Sequence, residues 1–472
     1  MLGNQLTKLL QDTPPGIEQT LALVTDFDDI LIHGFARLTE EHTATLNALA
    51  AAVAATPLGE RVGEVVAKLS TGSPDSEQLA LLAGTRAALL GAVHDALLSH
   101  LDTILNRSRA AHDESAASPS PDPEAENLLT GCRSWLHELA ITGWRGVDHE
   151  LVASASQLIG PLLANPKLRR MAVLIDGFAA ELSACCPIRT ADHIPVRRWA
   201  DLWTRAMLLS YTGGWSADDS AGLDTVSGRL LILGADVHEH GTAMQVQVHG
   251  VLEPTDDSTP RLVRTSVAVA KVDTIIGPAM WDLLQAYPVL MTALAERRSI
   301  HITDLPALPS GDLVWNEERA KVGDPADPFT TARIQLASAL APAVPALDRH
   351  PVQIAEPVLM EGYKVKRGED LSVIVDGVSL PIAVDRLPSC GPLTPQLVDA
   401  SSACIGLLRW DSGQWALQPL AVQSNKSKKT QVAVHNGDWA KGPTDPKVAK
   451  AQTRNGDAIA VLRERAGRLL RR

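Results

Sequence analysis

Imidazole and carboxylate crowd together most closely at Asp236-Val237-His238-Glu239-His240, with His249 nine residues further on. On a strand, Asp236, His238 and His240 would share one face. A face carrying two imidazoles and a carboxylate is suited to zinc or iron. A second chemistry-bearing string is Leu23 to Ile30, which holds Asp26, Asp28 and Asp29, and a third is Cys185-Cys186 with His193 nearby. Each has an ordinary alternative. Gly241 directly follows His240, so the histidines read as solvated turn residues. The expectation is no bound metal and no cofactor, with His238, His240 and His249 as the weak candidate ligands. Cys185 and Cys186 lie between helical stretches and read as structural thiols.

The Asp26-x-Asp28 spacing resembles the first motif of haloacid dehalogenase-type phosphotransferases, in which the first aspartate attacks phosphorus. Ile30 stands where Thr or Val is usual, and the surroundings lack a strand–helix–strand pattern. The string reads instead as a helix with Leu23, Phe27 and Ile30 inward and its acids in water. The chain holds no Gly-x4-Gly-Lys-Ser/Thr loop, no Gly-x-Gly-x-x-Gly, no His-Glu-x-x-His and no Gly-x-Ser-x-Gly.

The elements that must position these residues fall into a helical half and a β-rich half. Up to about Arg109 the pattern is helical, with breaks at Pro14-Pro15, Thr56-Pro57 and Gly72-Ser73-Pro74-Asp75. Residues 112–126 carry three prolines, serines and acids with no apolar side chain larger than Ala, and read as a flexible linker. Helices resume over 127–215. There Val196, Trp199, Trp203 and Met207 form an amphipathic stripe, with the two Trp expected in the core rather than at an interface.

β-structure begins at Ser227 to Val272. Met244, Val246, Val248 and Leu252 alternate with Gln245, Gln247 and His249, the period of a half-buried strand. Three strands, a helix and two further strands over 216–323 give an order similar to a small OB-like barrel. Residues 324–357 are a Pro/Ala-rich connector with a short helix expected around Thr331 to Leu340. Within 358–423, Asp376-Gly377 sits between alternating runs and marks a tight hairpin, because both turn positions need φ > 0. A second hairpin turns at Asp411 to Gln414. The expected fold class is therefore α+β and multidomain, an all-α N-terminal half followed by two small β-rich modules.

Charge separates the end of the chain from the rest. Twelve bases oppose four acids from Ser424 to Arg472, within a net charge of −12, so the preceding body carries −20. Residues 424–455 read as a disordered basic linker and 456–472 as an amphipathic basic helix. Ile459, Leu462 and Leu469 would face a partner, flanked by Arg463, Arg468 and Arg471. No apolar run suggests a membrane helix, and five scattered cysteines without a CxxC spacing suggest a reducing, cytoplasmic setting. The expected function is a non-catalytic interaction or scaffold subunit with a protein partner. The alternatives are nucleic-acid binding through the tail and a metal-assisted enzyme near His238 and His240.

Overall fold

The computed structural model describes residues 1–450, apart from residues 2, 70–71, 73, 112–122, 213–223, 241, 257, 273, 309, 351, 369, 412 and 428–429. The helical half comprises α1 (Gly3–Gln11), α2 (Ile17–His33), α3 (Glu40–Val53), α4 (Gly59–Leu69) and α5 (Ser76–Leu105). It continues with α6 (Pro123–Thr142), α7 (His149–Ser154), α8 (Ser156–Ala164), α9 (Arg169–Cys185) and α10 (Val196–Thr212). Helix starts follow local chemistry. Thr39 caps α3 and Asp75 caps α5, each in a reciprocal box with the residue three positions on. Gly34, at φ +84°, ends α2 where a Cβ would lie 2.5 Å from the Ile141 carbonyl oxygen.

The expected linker ends earlier than its composition suggests, since α6 begins at Pro123; the rest of that stretch lies outside the described residues. Helices on both sides of it share one core. Phe27, Leu82, Leu136, Phe178, Trp199 and Trp203 are all buried in the same cluster. The Trp pair is core, with Trp203 Nε1 donating to the Leu136 carbonyl at 3.0 Å and Trp199 edge-on to Trp144. One described helix, α5, is long and apolar enough to cross a membrane by length and composition, contrary to the sequence expectation, but 61% of its apolar window is buried. Its first half packs in the helical core, while Val93, Leu97 and Leu101 join the core of the second β module.

The first β module contains β1 (Thr225–Glu239), β2 (Ala243–Pro254), β3 (Arg261–Ala270), β4 (Arg298–Pro306), β5 (Asp312–Leu313) and β6 (Ala320–Pro325), with α11 (Pro288–Glu296) before β4. The strand order is β5-β3-β2-β1-β4-β6, antiparallel except for β3 beside β5. A single antiparallel bridge, Ala307 to Leu313, links the end of β4 to β5. Met244, Val246, Val248 and Leu252 face a core with Met280, Trp281 and Leu294, as their alternation predicts.

After α12 (Pro328–Gln335), which starts three residues before the helix expected there, the second module has a small sheet and a larger one. The small sheet is β8 (Lys364–Arg367), β9 (Leu371–Val375) and β10 (Val378–Pro381). Asp376 and Gly377 turn the predicted hairpin at φ 50° and 85°. The larger sheet orders β7 (Ile354–Glu361), β11 (Ala403–Asp411), β12 (Gln414–Ser427) and β13 (Thr430–His435) as β13-β12-β11-β7, with α13 (Pro395–Asp399) preceding β11.

This corrects one sequence expectation. Residues 424–450 are not an unstructured linker: β12 runs through Ser427 and pairs with β13. Lysines masked a period-two run at Val432 and Val434, and Asn436 beyond it is buried, donating to the carbonyls of Ala235 and Pro419. The expected tail helix at 456–472, including Ile459, Leu462, Leu469, Arg463, Arg468 and Arg471, lies outside the described residues.

Candidate functional site

The sheet register decides where the predicted histidines go. Across β1 and β2, Asp236 pairs with Gln247 and Gly234 with His249; across β2 and β3, Gln247 pairs with Ser266 and His249 with Arg264. Paired residues share a face, so Asp236, His238, Gln247, His249 and Arg264 line the side opposite the apolar core. That side is open to solvent only in part: Asp236 and His249 are buried, while His238 and Arg264 stay more than a third exposed. β11 and β12 pack over it, closely enough that a Cβ on Gly234 would lie 2.7 Å from Leu420 Cβ. The residue between α5, the first sheet and the segment leading into β7 is a polar cleft of about 380 Å³.

Asp236 is the centre of this face, with a side chain 3% exposed. It accepts from Arg409 at 3.0 Å and from Gln418 Nε2 at 2.7 Å, and His238 Nε2 lies 3.2 Å from its Oδ2. Burial opposes ionisation of Asp236, but the bond and charge of His238, then Arg409 and Gln418, more than offset it and hold the carboxyl at about 2. His249 is the opposite case. Burial, followed by the nearby Arg264, pushes its imidazole down to about 3, so it is neutral at physiological pH. Its Nε2 is buried with no hydrogen-bond partner among the described residues.

The guanidiniums around the cleft are held by the protein itself. Arg264 grips Asp312 at 2.8 and 2.9 Å. Arg109 bonds Asp102 and the Pro342 carbonyl and lies 3.2 Å from Glu356. Arg107 joins Glu356 at 2.9 Å and the Pro357 carbonyl at 2.8 Å. Arg205 of α10 donates to the carbonyls of Leu347 and His350. Burial raises the Glu356 carboxyl, and the charges of Arg109 and Arg107 overcome it and bring the group below its ordinary range.

The arrangement can orient an imidazole. With Asp236 on Nε2 of half-exposed His238, the other ring nitrogen is free to act as a base toward the cleft. Among the described residues, the His/Cys/Asp/Glu group whose ligand atoms all lie within 4.8 Å of one another is Asp29, His33 and His42, and it contains none of the predicted ligands. His240 is exposed beyond the end of β1, with its backbone N–H bonded to the Ala243 carbonyl. Cys185 and Cys186 pack partly buried on the helical core, and His193 is exposed. Burial pushes the Cys132 and Cys390 thiols up to about 12 and raises Cys404 further, which removes them as nucleophiles at neutral pH.

The Asp-x-Asp string is helical, as expected, but its acids are not all in water. Asp28 is buried against Arg86 of α5, at 2.6 and 3.0 Å. Sequence reasoning missed Arg86, Arg409, Gln418 and Glu356. No local signal marks them, because each meets its partner across at least one intervening element. Comparison with family models, with curated proteins and with solved structures finds no match for this chain.

Proposed function

We propose that this chain is a non-catalytic interaction subunit of a cytoplasmic assembly, a rigid platform presenting surfaces to a protein partner. The supporting observation is how its arginines are used. Arg107 and Arg109 tie the segment after α5 to β7, Arg205 ties α10 to the segment before β7, and Arg409 ties the second sheet to Asp236 of the first. Charged groups that an active site would leave available to substrate are spent on joining lobes. Bonds of this kind tie the elements they join into one body, which favours a scaffold.

The test is affinity purification of the tagged full chain from the organism that encodes it. A stoichiometric partner recovered at physiological salt is expected. Deleting Asp457 to Arg472 should lose that partner at unchanged melting temperature. Co-purified nucleic acid released by moderate salt, with no protein partner, would overturn the reading in favour of the tail as a nucleic-acid contact.

A second reading rests on one specific observation: the Asp236–His238 pair faces the cleft beside the unpartnered His249 nitrogen. It would make the cleft a hydrolytic site in which His238 removes a proton from water. The strand order with parallel β3 and β5 and the Ala307–Leu313 bridge supports an OB-like description of the first module, in which β2 and β3 would present the binding face.

A further inference from the structure

We propose that Asp29, His33 and His42 form an open zinc site at the corner between α2 and α3. Asp29 and His33 are one turn apart on the last two turns of α2, the i, i+4 spacing that puts two ligands on one helix face. Gly34 then reverses the chain, and the capping box at Thr39 sets His42 in the first turn of α3. His42 is buried while Asp29 and His33 are exposed, so one ligand is held in place and two are reachable from solvent.

The spacing fits the ion. Asp29 Oδ2 lies 3.4 Å from His33 Nδ1 and 3.7 Å from His42 Nε2, and the three ligand atoms all fall within 4.8 Å of one another. Ligands about 2.0–2.1 Å from a tetrahedral zinc stand roughly 3.4 Å apart, so two edges are nearly preformed. Two imidazoles and a carboxylate leave a coordination position for water or for a ligand from a partner. The ion would clamp the end of α2 to the start of α3.

Ligation has a local consequence that can be observed. His42 Nδ1 now accepts from the Thr39 N–H across 3.4 Å, and His33 Nδ1 bonds the Asp29 carbonyl at 3.1 Å. Zinc on His42 Nε2 requires the proton on Nδ1, so the weak bond from Thr39 must be released. His33, being exposed, gives up its bond by a small side-chain rotation.

The experiment is a zinc titration of the metal-stripped full chain against a chromophoric chelator, with ring-nitrogen NMR of His42. One equivalent bound at micromolar zinc or tighter is expected, with the His42 proton moving to Nδ1. Asp29→Asn and His33→Ala, both at exposed positions, should keep the circular dichroism spectrum and each weaken binding about 100-fold. A joint Cys185→Ser and Cys186→Ser change should leave affinity unaltered. The proposal is overturned if the wild-type chain takes up no equivalent, if binding survives Asp29→Asn and His33→Ala, if it follows the two cysteines, or if His42 keeps its metal-free tautomer.

Discussion

In the helical half, Asp28, Arg86 and Asp201 lie inside the core, and Arg86 spends its nitrogens on all of its neighbours: two on Asp28, and the third at 2.8 Å from Asp201 and 3.4 Å from Thr204. In the cleft between the sheets, Asp236 is just as thoroughly engaged, yet His249 beside it has a buried nitrogen without a partner. Both regions bury charge. The helical cluster sets both acids within ion-pair distance of Arg86, although Asp201 Oδ1 makes no hydrogen bond among the described residues and burial raises its carboxyl, whereas the cleft leaves a histidine nitrogen facing no charge of its own. Opposite charges set against one another across a core are explained by folding alone. An unspent polar atom next to a cavity is not, and it is the feature that keeps a binding role for the cleft in play.

The comparison can be broken most forcefully at Arg86. Arg86→Met should destabilise the chain by about 3–5 kcal/mol in a denaturant titration, since it removes both guanidinium bonds to buried Asp28, leaving it only the part-exposed Arg197 at 3.3 Å, and takes from Asp201 its nearest cation. Changing Asp28 to Leu as well should recover much of that loss. If Arg86→Met proves nearly neutral, the two acids of the helical cluster are not held by Arg86.

Asp236→Ala is the matching test in the cleft. It strands Arg409 and Gln418 and should cost about 2–3 kcal/mol by the same measurement. A loss smaller than 1 kcal/mol would mean that solvent already reaches these groups.

An effect of a different kind, a slope rather than a single loss, is expected from pH. His249 is held at about 3, and burial pushes His350 and His435 down to about 4. The ordinary imidazole value is 6.5, so the unfolded chain takes up protons first as pH falls. The contribution of these histidines is therefore fully present above pH 6.5 and drains away below it, as far as about 4 for His350 and His435 and about 3 for His249, at up to about 1.4 kcal/mol per pH unit for each histidine. His350→Leu should flatten that slope, because neither of its ring nitrogens has a hydrogen-bond partner among the described residues. An unchanged slope would show that His350 is solvated.

The smallest effect belongs to the exposed histidines. His240→Ala should stay within about ±0.5 kcal/mol. His238→Ala should cost about 1 kcal/mol through the lost contact with Asp236.

Much of this architecture is written locally. The alternation of Met244 to Leu252 names the inner face of β2, Asp376-Gly377 names the turn between β9 and β10, and the Trp199/Trp203 stripe names a core face. The outer face is another matter. Gln245, Gln247 and His249 alternate like solvent-facing residues; Gln245 and Gln247 do stay part-exposed, but His249 is buried on the face that β11 and β12 reach more than 150 residues later. Asp28 looked solvated for the same reason, since its partner lies 58 positions away on α5. The second strand of the β12–β13 pair was hidden by the lysines around it. The Asp29, His33 and His42 group was divided by the break at Gly34; the i, i+4 step and the Thr39 capping box were its only readable signs.

The central claim is that the cleft's charges hold the platform together while function lies in partner binding. It is tested most directly by complementation with a His238→Ala, His249→Phe chain in place of the wild type, with partner recovery measured alongside. The account predicts that this chain folds, retains its stoichiometric partner and restores function. A chain that folds and keeps its partner, but fails to restore function, would contradict it and make the cleft the active centre.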